Sequence, residues 1–205
     1  MATTPGRRRI LERLARGLAR RAADRQVLRV AVDGPDAAGK TTFARDLDGL
    51  LYPLLPAGAE LRRFSTDDLL APVVLRGELR HQDPHWVYEH AYPLDLIREI
   101  AVGNPAHDHP GTVVIAEGMS LLRPELADLW DVTVYLTVSE EVTLERVRDR
   151  LDEDDDIEGV LGRYRNLYLP ALALYRAIAD PMDRSDVVID MTDVEAPAVQ
   201  HWNGL

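Results

Sequence analysis

The feature that most constrains the fold is a glycine-containing segment in the first quarter of the chain. It fits the pattern G-x-x-x-x-G-K-[ST] without adjustment, between an apolar stretch (27–33) and a helical stretch, TTFARDLDGLL. A loop in this setting points successive backbone N–H groups and the positive end of a helix at one place. It predicts a binding site for nucleotide phosphates, formed by Gly34, Pro35, Asp36, Ala37, Ala38, Gly39, Lys40, Thr41 and Thr42.

The lysine of this loop is the only one in the chain. The sequence has 24 basic residues, of which all except Lys40 are arginines. A compact ammonium suits β- and γ-phosphates, and the following hydroxyl, that of Thr41, suits Mg²⁺. Without a second lysine the chain cannot form the N-K-x-D element with which GTPases recognise guanine, and it shows no motif of a transport ATPase or helicase. We therefore expect a small phosphotransferase.

Composition limits the remaining classes. The chain has 205 residues, 46 % of them apolar and 29 % charged, which favours one domain over residues 1–205. No apolar run approaches the ~20 residues that span a bilayer, so we expect no membrane partner. The absence of cysteine favours a cytoplasmic protein. A net charge of −11 opposes binding to a polynucleotide. The oligomeric state stays open.

The first 25 residues carry eight of the arginines. An organellar transit peptide is one explanation. However, Ile10, Leu11, Leu14 and Leu18 recur at helical spacing, which favours an amphipathic helix (1–26) that packs on the domain with its arginines in solvent.

Apolar stretches alternate with helical patterns along the rest of the chain. Strands are expected at VLRVAVD (27–33), ELRRFS (60–65), TVVIAEG (112–118), DVTVYLTV (131–138) and DVVIDM (186–191). Helices are expected at 7–24, 40–51, 84–102, 122–128, 139–151 and 157–178. Such alternation predicts an α/β fold, a parallel sheet with helices on both faces. We assign residues 27–193 to this core and 194–205 to a mobile tail.

Acidic side chains follow two of the predicted strands. Asp67 and Asp68 come after the second strand, and Glu117 closes the third. The carboxyl ends of parallel strands are where α/β sheets bind ligands. Phosphoryl transfer needs a group that positions the acceptor hydroxyl and an acid that holds Mg²⁺, and we assign these roles to Asp67 and Glu117. Taken alone, the segment STDD could instead be a helix cap.

A lid is expected near residues 146–160. Arg146 and Arg150 lie four residues apart, so they share a helix face and could close over the transferred phosphoryl group. The alternative is a pair of surface salt bridges. The acidic run 152–156 that follows is typical of a solvated loop or helix start, with a divalent-ion site as the alternative.

Aromatic residues in HQDPHWVYEHAYPLDLI (81–97) could hold the acceptor. Trp86, Tyr88 and Tyr92 could stack on a base or a sugar, and Arg163 and Tyr168 could face the same pocket. Packing of these aromatic rings in the core is the alternative. Zinc binding by His81 and His85 lacks a third ligand.

These motifs resemble the uridine kinase and phosphoribulokinase-like family of P-loop kinases over residues 27–193. The resemblance rests on VAVDGPDAAGKTTFA, STDD, VVIAEGMSLLRPEL, DLWDVTVYLTV, R-V-x-x-R and RYRNLYLPALALY. It implies a three-layer P-loop NTPase sandwich with a five-stranded parallel sheet in the order 2-3-1-4-5. It also implies ATP or GTP as donor, Mg²⁺ as cofactor and a nucleoside hydroxyl as acceptor. By the same resemblance, Asp67 is the catalytic aspartate, Glu117 the acid of strand three, and Arg146 and Arg150 the lid arginines.

The chain departs from this family pattern around the acceptor. Leu69 and Leu70 stand where the family commonly has an aromatic pair, and Leu151 with the acidic run stands where it tends to have an aspartate followed by more arginine. We therefore keep two alternatives to a nucleoside kinase. One is a kinase for another alcohol, such as a sugar, a pantothenate-like vitamin or an antibiotic. The other is a nucleotide-binding protein without transferase activity.

Overall fold

The core of the protein is a six-stranded sheet. The computed structural model describes residues 4–71 and 83–205. The strands are β1 (Val27–Asp33), β2 (Leu61–Ser65), β3 (Thr112–Gly118), β4 (Val132–Thr137), β5 (Val187–Asp190) and β6 (Ala198–Trp202). Their order is β2-β3-β1-β4-β5-β6. The first five are parallel, which confirms the predicted order, whereas β6 is antiparallel to β5.

Helices cover both faces of the sheet. The helices longer than one turn are α1 (Pro5–Ala23), α2 (Lys40–Leu51), α3 (Pro84–His90), α4 (Leu94–Val102), α5 (Glu140–Arg148), α6 (Ile157–Arg163) and α7 (Leu169–Ala179). Single turns of 3-10 helix occupy Tyr52–Leu54, Asp67–Leu69, Pro105–His107 and Pro124–Leu126, and a four-residue helix, α8, spans Pro181–Arg184. In the part of the chain that is described, no helix is both long enough and apolar enough to cross a bilayer.

The two faces of the sheet bury different sets of side chains. Leu11, Leu14 and Leu18 of α1 pack with α2 against one face, to which Val30 and Val32 of β1 contribute. The opposite face is covered by α4, next to Ala31, and by α7. The alternation along β1 follows from the two-residue period of a strand. The result is a three-layer α/β fold of the P-loop NTPase type.

The predicted mobile tail instead adds the sixth strand. Residues 198–202 pair with β5, whose outer edge would otherwise expose unpaired backbone groups. The Arg13 guanidinium lies 4.0 Å from the centre of the Trp202 ring, and Leu205 lies where a Cβ on Gly17 would make close contacts. The tail is therefore held by both the sheet and α1.

Four predicted helices differ from the observed ones. The segment 84–102 is two helices, because Pro93 lacks the N–H that a continuous helix needs. The segment 157–178 contains a π-helical turn, Tyr164–Tyr168, just before Pro170. The segment 122–128 keeps only a 3-10 turn, and the helix predicted at 139–151 ends at Arg148.

Candidate active site

The phosphate-binding loop joins β1 to α2. Gly34 is required sterically, because a Cβ at this position would collide with the carbonyl oxygen of Leu136 in β4. Gly39 precedes α2 with a φ of 85°, a left-handed conformation that favours glycine. Lys40 begins the helix and is 5 % exposed. Its Nζ donates a hydrogen bond to the carbonyl of Pro35 at 2.9 Å, so the ammonium group lies against the backbone of its own loop.

The carboxyl ends of β1, β2 and β3 meet at one edge of the sheet. Glu117 lies opposite Val32 on one side and Ser65 on the other. Thr41 Oγ1 donates to Glu117 Oε2 at 3.2 Å, so the structure brings together the two predicted metal ligands. Glu117 is fully buried. Its Oε1 has no hydrogen-bond partner among the described residues, and the nearest cation, Arg63 Nη1, lies 3.9 Å away.

This donor set fits Mg²⁺. A buried carboxylate with one free oxygen, next to a hydroxyl, supplies the hard oxygen ligands that Mg²⁺ prefers. Over residues 4–71 and 83–205 there is no cluster of three or more His, Cys, Asp or Glu side chains that could form an all-protein metal site. Thr41 and Glu117 would therefore hold the ion together with phosphate oxygens, as is usual for nucleotide-bound Mg²⁺.

Asp67 begins the turn that follows β2. The backbone there is fixed to β3, because Thr66 N donates to the carbonyl of Glu117 at 2.9 Å and Thr66 Oγ1 accepts from Met119 N at 3.2 Å. Burial raises the pKa of Asp67, and the positive charge of Lys40 partly offsets this rise. The carboxyl group is thus poised to exchange a proton more readily than an exposed aspartate.

Three cavities surround the loop. The phosphate cavity, of about 110 Å³, is lined by Asp36, Ala37, Gly39, Lys40, Thr41, Thr42, Asp67 and Arg150. The tyrosine cavity, of about 420 Å³, is lined by Asp36, Asp67, Leu70, Val87, Tyr88, Ala91, Tyr92, Met119, Ser120, Tyr164, Tyr168, Ala171, Leu172 and Tyr175. The arginine cavity, of about 360 Å³, is lined by Arg7, Ala37, Gly39, Thr42, Arg45, Asp46, Arg146, Arg150, Val194 and Glu195.

Three of the five predicted acceptor residues line the tyrosine cavity, namely Tyr88, Tyr92 and Tyr168. The structure does not bring Trp86 or Arg163 to it. Trp86 stacks on His90, with ring centres 5.0 Å apart, and Arg163 is exposed at the end of α6. Of the two histidines considered for zinc, His85 is exposed and His81 lies outside the described residues.

Two further tyrosines of this cavity were not predicted from the sequence. Tyr164 donates from its hydroxyl to Asp36 Oδ2 at 3.2 Å, and its ring meets that of Tyr168 edge to face at 5.1 Å. Tyr175 is 2 % exposed and donates to Asp33 Oδ2. For Tyr164, the available signal was its spacing from Tyr168 in RYRNLYLPALALY, since residues four apart can share a helix face.

Asp33 was also missed, because it reads as the last residue of an apolar strand. It is fully buried directly before the loop. Its Oδ1 accepts from Gly34 N at 2.6 Å, and its Oδ2 accepts from Leu122 N at 3.0 Å and from Tyr175. Burial raises the pKa of Asp33 to about 6 against the lowering effect of these hydrogen bonds. The residue links the wall of the tyrosine cavity to the first glycine of the loop.

Two further residues shape this wall. Ser120 has a φ of 65°, which is uncommon for a residue other than glycine, and it lines the tyrosine cavity. Arg123 is 5 % exposed. Its guanidinium lies 4.1 Å from the centre of the Tyr88 ring, donates to the Tyr88 carbonyl and pairs with Glu125 at 2.6 Å. Arg123 therefore anchors α3 beside the cavity.

The two predicted lid arginines occupy different positions. Arg146 donates to the carbonyls of Ala37 at 3.0 Å, Met191 at 2.7 Å and Thr192 at 2.9 Å, and it lines the arginine cavity only. Arg150 lines both the arginine and the phosphate cavities. The acidic run 152–156 is exposed, and its last residue, Asp156, caps α6 by accepting from Gly159 N at 3.0 Å.

Comparisons with known proteins agree with this architecture. The family model described as the AAA domain matches residues 30–166. A protein from Bacillus stearothermophilus described as a possible uridine kinase superposes with a TM-score of 0.63 at 20 % identity, over 88 % of this chain and 97 % of its own. A candidate fructose transport system kinase from Silicibacter sp. TM1040 gives 0.61 at 22 % identity, over 82 % and 95 %.

A third similar structure is YFH7 from Saccharomyces cerevisiae, described as a candidate P-loop containing kinase with a circular permutation. It gives a TM-score of 0.58 at 12 % identity, over 90 % of this chain and 98 % of its own. At these identities the likeness is one of fold. It identifies a P-loop kinase-like fold that spans most of the chain.

Proposed function

Because the chain belongs to the AAA domain family, and its fold is that of P-loop kinases, we propose that it transfers the γ-phosphoryl group of ATP to a hydroxyl of a small molecule. The observation that carries this proposal is the position of Asp67. This carboxyl group lines the phosphate cavity beside Lys40 and also lines the tyrosine cavity. A group that must meet both the donor phosphate and the acceptor hydroxyl has to lie at such a boundary.

Several residues of the phosphate cavity, together with Glu117 next to Thr41, have a role in the proposed reaction. The backbone N–H groups of the loop and the Lys40 ammonium bind the β- and γ-phosphates. Thr41 and Glu117 would hold Mg²⁺, which would neutralise charge on those phosphates. Arg150, which lines the same cavity, faces the phosphates from the lid side and stabilises negative charge in the transition state.

The proton and the phosphoryl group then move in opposite directions. The acceptor oxygen forms a bond to the γ-phosphorus while the bond to the bridging oxygen breaks, and ADP leaves with that electron pair. The hydroxyl proton passes to Asp67, whose pKa is raised by burial, so its carboxylate is a stronger base than that of an exposed aspartate.

A nucleoside is the acceptor that we favour. Five tyrosine side chains line a cavity of about 420 Å³, and aromatic rings of this kind stack on a flat base. One neighbour is described as a possible uridine kinase. A second candidate is a sugar or another alcohol, since Leu70 rather than an aromatic residue lines the cavity and another neighbour is described as a candidate kinase of a fructose transport system.

A coupled assay of ADP release tests the proposal across nucleosides, sugars and pantothenate. A kinase shows a rate that depends on the acceptor, whereas a protein that only binds nucleotide shows none. Asp67→Asn should lower kcat by ~10²-fold or more and leave the Kd for ATP nearly unchanged, because the change removes the proton acceptor but not the phosphate contacts.

The matched control is Asp68→Asn. Asp68 is the next residue, is exposed and lines none of the three cavities, so this variant should keep the wild-type rate. Full activity in Asp67→Asn would remove Asp67 from the mechanism.

A further inference from the structure

A carboxylate inside the phosphate-binding loop is a feature that the proposed mechanism does not use. Asp36 lies between Pro35 and Ala37 and lines the phosphate cavity, where its negative charge repels phosphate oxygens. A paired cation would cancel this repulsion, but none of the ion pairs formed between residues of 4–71 and 83–205 includes Asp36. The loop therefore carries a charge that opposes the binding of its own ligand.

This carboxylate also forms part of the wall of the tyrosine cavity. Asp36 lines that cavity as well as the phosphate cavity, and its Oδ2 accepts from the Tyr164 hydroxyl at 3.2 Å. Burial, followed by the charge of Asp36, raises the pKa of Tyr164, so this partner is neutral. The hydrogen bond orients the carboxylate and leaves its negative charge in place.

The electrostatic potential of the tyrosine cavity is negative. Among the described residues that line it, the charged ones are Asp36 and Asp67, and Lys40 only partly offsets the charge of Asp67. Burial and, after it, the charges of Asp36 and Asp67 raise the pKa of Tyr92, so both carboxylates act on the same part of the cavity. The cavity therefore attracts a positively charged ligand.

Tyrosine side chains surround the two carboxylates. Tyr88, Tyr92, Tyr164 and Tyr168 line the cavity and are partly exposed, so a ligand can reach them. Aromatic rings attract cations through their faces. The Tyr88 ring already does so within the protein, since the Arg123 guanidinium lies 4.1 Å from its centre. A carboxylate beside tyrosine rings is an arrangement that suits an ammonium group.

We propose that the acceptor is a cationic alcohol, which carries a protonated amine besides the reacting hydroxyl, and that Asp36 binds the amine. The inference rests on the proposed function and narrows its substrate class, for nucleosides and sugars alike. Asp67 takes the hydroxyl, and Asp36 accepts a charge-assisted hydrogen bond from the ammonium group. The positive charge of the acceptor then offsets the repulsion between Asp36 and the phosphates. Asp36 is thereby a specificity-determining residue.

Matched pairs of ligands test the role of the charge. The pairs are glucosamine with glucose and aminomethyluridine with hydroxymethyluridine, measured at pH 7 on the full chain by calorimetry and by ADP release from ATP with Mg²⁺. In at least one pair the wild type should bind the amine about tenfold or more tightly than its neutral partner. The pair that shows this preference identifies the acceptor as an amino sugar or an aminonucleoside.

The variant Asp36→Asn keeps the shape of the side chain and removes its charge. It should reduce the preference for the amine to within about twofold and leave the Kd of the neutral partner unchanged, because only the amine interacts with the charge. ATP binding should be no weaker than in the wild type, since a repulsive charge is lost. The control Asp68→Asn, at an exposed residue that lines none of the three cavities, should keep the wild-type preference.

The inference is overturned if the wild type prefers the amine in neither pair, whether both members bind equally or neither binds. It is also overturned if Asp36→Asn weakens the amine and its neutral partner equally, which would indicate a structural role. If circular dichroism shows that Asp36→Asn has not folded, Tyr168→Leu replaces it, because leucine keeps apolar volume without a ring face and the same selective loss is expected.

The two readouts separate this inference from the proposed function. ADP release with neutral acceptors alone would overturn the cationic acceptor and keep the kinase. Selective binding of an amine, without ADP release in the presence of any acceptor, would refute the proposed function and not the role of Asp36.

Discussion

The contribution of the hydrogen bond between Tyr175 and Asp33 to stability should depend on pH. Both side chains are buried, and the Tyr175 hydroxyl donates to the carboxylate that also accepts from the first glycine of the phosphate loop. Tyr175→Phe removes one hydroxyl and leaves the ring in its apolar cluster with Leu172 and Tyr135. The change therefore isolates one hydrogen bond to a buried carboxylate.

The size of the effect follows from the charge of Asp33. Its pKa in the folded protein is about 6, against an ordinary value of 3.8. At pH 8 the carboxylate is ionised, and losing a hydrogen bond to a charged group costs about 1.5–3 kcal/mol. At pH 5 most of it is protonated, and a bond between neutral groups is worth only about 0.5–1.5 kcal/mol. The loss of stability in the variant should therefore be about 1–1.5 kcal/mol greater at pH 8.

Proton linkage gives the same sign. Because the pKa of Asp33 is raised on folding, the folded state binds more protons than the unfolded state between pH 3.8 and about 6, and this residue costs stability as pH rises through that window. The Tyr175 hydrogen bond lowers the pKa. Removing it raises the folded pKa further, so the variant loses more stability than the wild type as pH rises past 6.

Urea unfolding of wild type and variant at pH 5 and pH 8 measures this difference, and comparing them at each pH cancels the other titrating groups. The matched control is Tyr135→Phe. Tyr135 is fully buried in the same cluster, but its hydroxyl accepts from Arg176 Nε at 3.2 Å, and arginine keeps its charge at both pH values. The loss of stability in Tyr135→Phe should therefore be the same at pH 5 and pH 8. An equal loss at both pH values in Tyr175→Phe would refute the assigned charge of Asp33.

Two further predictions concern the backbone. Gly34→Ala should abolish ATP binding in a calorimetric titration, because the new Cβ would collide with the Leu136 carbonyl, and retained binding would contradict this prediction. The control is Gly49→Ala in α2, where a Cβ meets nothing within 4 Å. This control should stabilise the protein by ~0.5–1 kcal/mol. Removal of residues 196–205 should lower the Tm and promote association in size-exclusion chromatography, because it uncovers the edge of β5, and an unchanged Tm would show that β6 adds no stability.

The donor half of the site could be predicted from the sequence because it is built locally. Gly34, Lys40 and Thr41 belong to one strand-loop-helix unit, so their relative positions follow from the loop itself. Glu117 could be added because parallel strands end at a common edge, and its contact with Thr41 at 3.2 Å follows from that rule. No packing detail was needed at any of these positions.

The lid arginines show where local reasoning stops. Arg146 lies in the last turn of α5, whereas Arg150 lies beyond the end of this helix at Arg148. The Arg146 guanidinium reaches the carbonyls of segment 191–192, while Arg150 lines the phosphate cavity. Which of the two lines the phosphate cavity depends on how α5 docks on the sheet and on the backbone that leads out of β5. The four-residue spacing of the pair does not reveal that the helix ends between them.

The acceptor half depended on helix geometry that the sequence only partly reveals. Trp86 and Tyr88 are two residues apart in α3, and residues at that spacing point to nearly opposite sides of a helix. Only one of them can face a given cavity, and the structure selects Tyr88. The spacing alone could have excluded the joint assignment, but it could not decide between them, because either ring could have packed inward.

The remaining tyrosines reach the cavity through an irregular backbone. Pro170 lacks the N–H that would bond to the carbonyl four residues earlier, and the chain forms a π-helical turn over Tyr164–Tyr168 immediately before it. Both ends of this turn, Tyr164 and Tyr168, line the tyrosine cavity. Hydrophobic periodicity assumes 3.6 residues per turn and so misplaces side chains on such a widened turn. The proposed acceptor cavity is therefore shaped by a local departure from the regular helix that hydrophobic periodicity does not reveal.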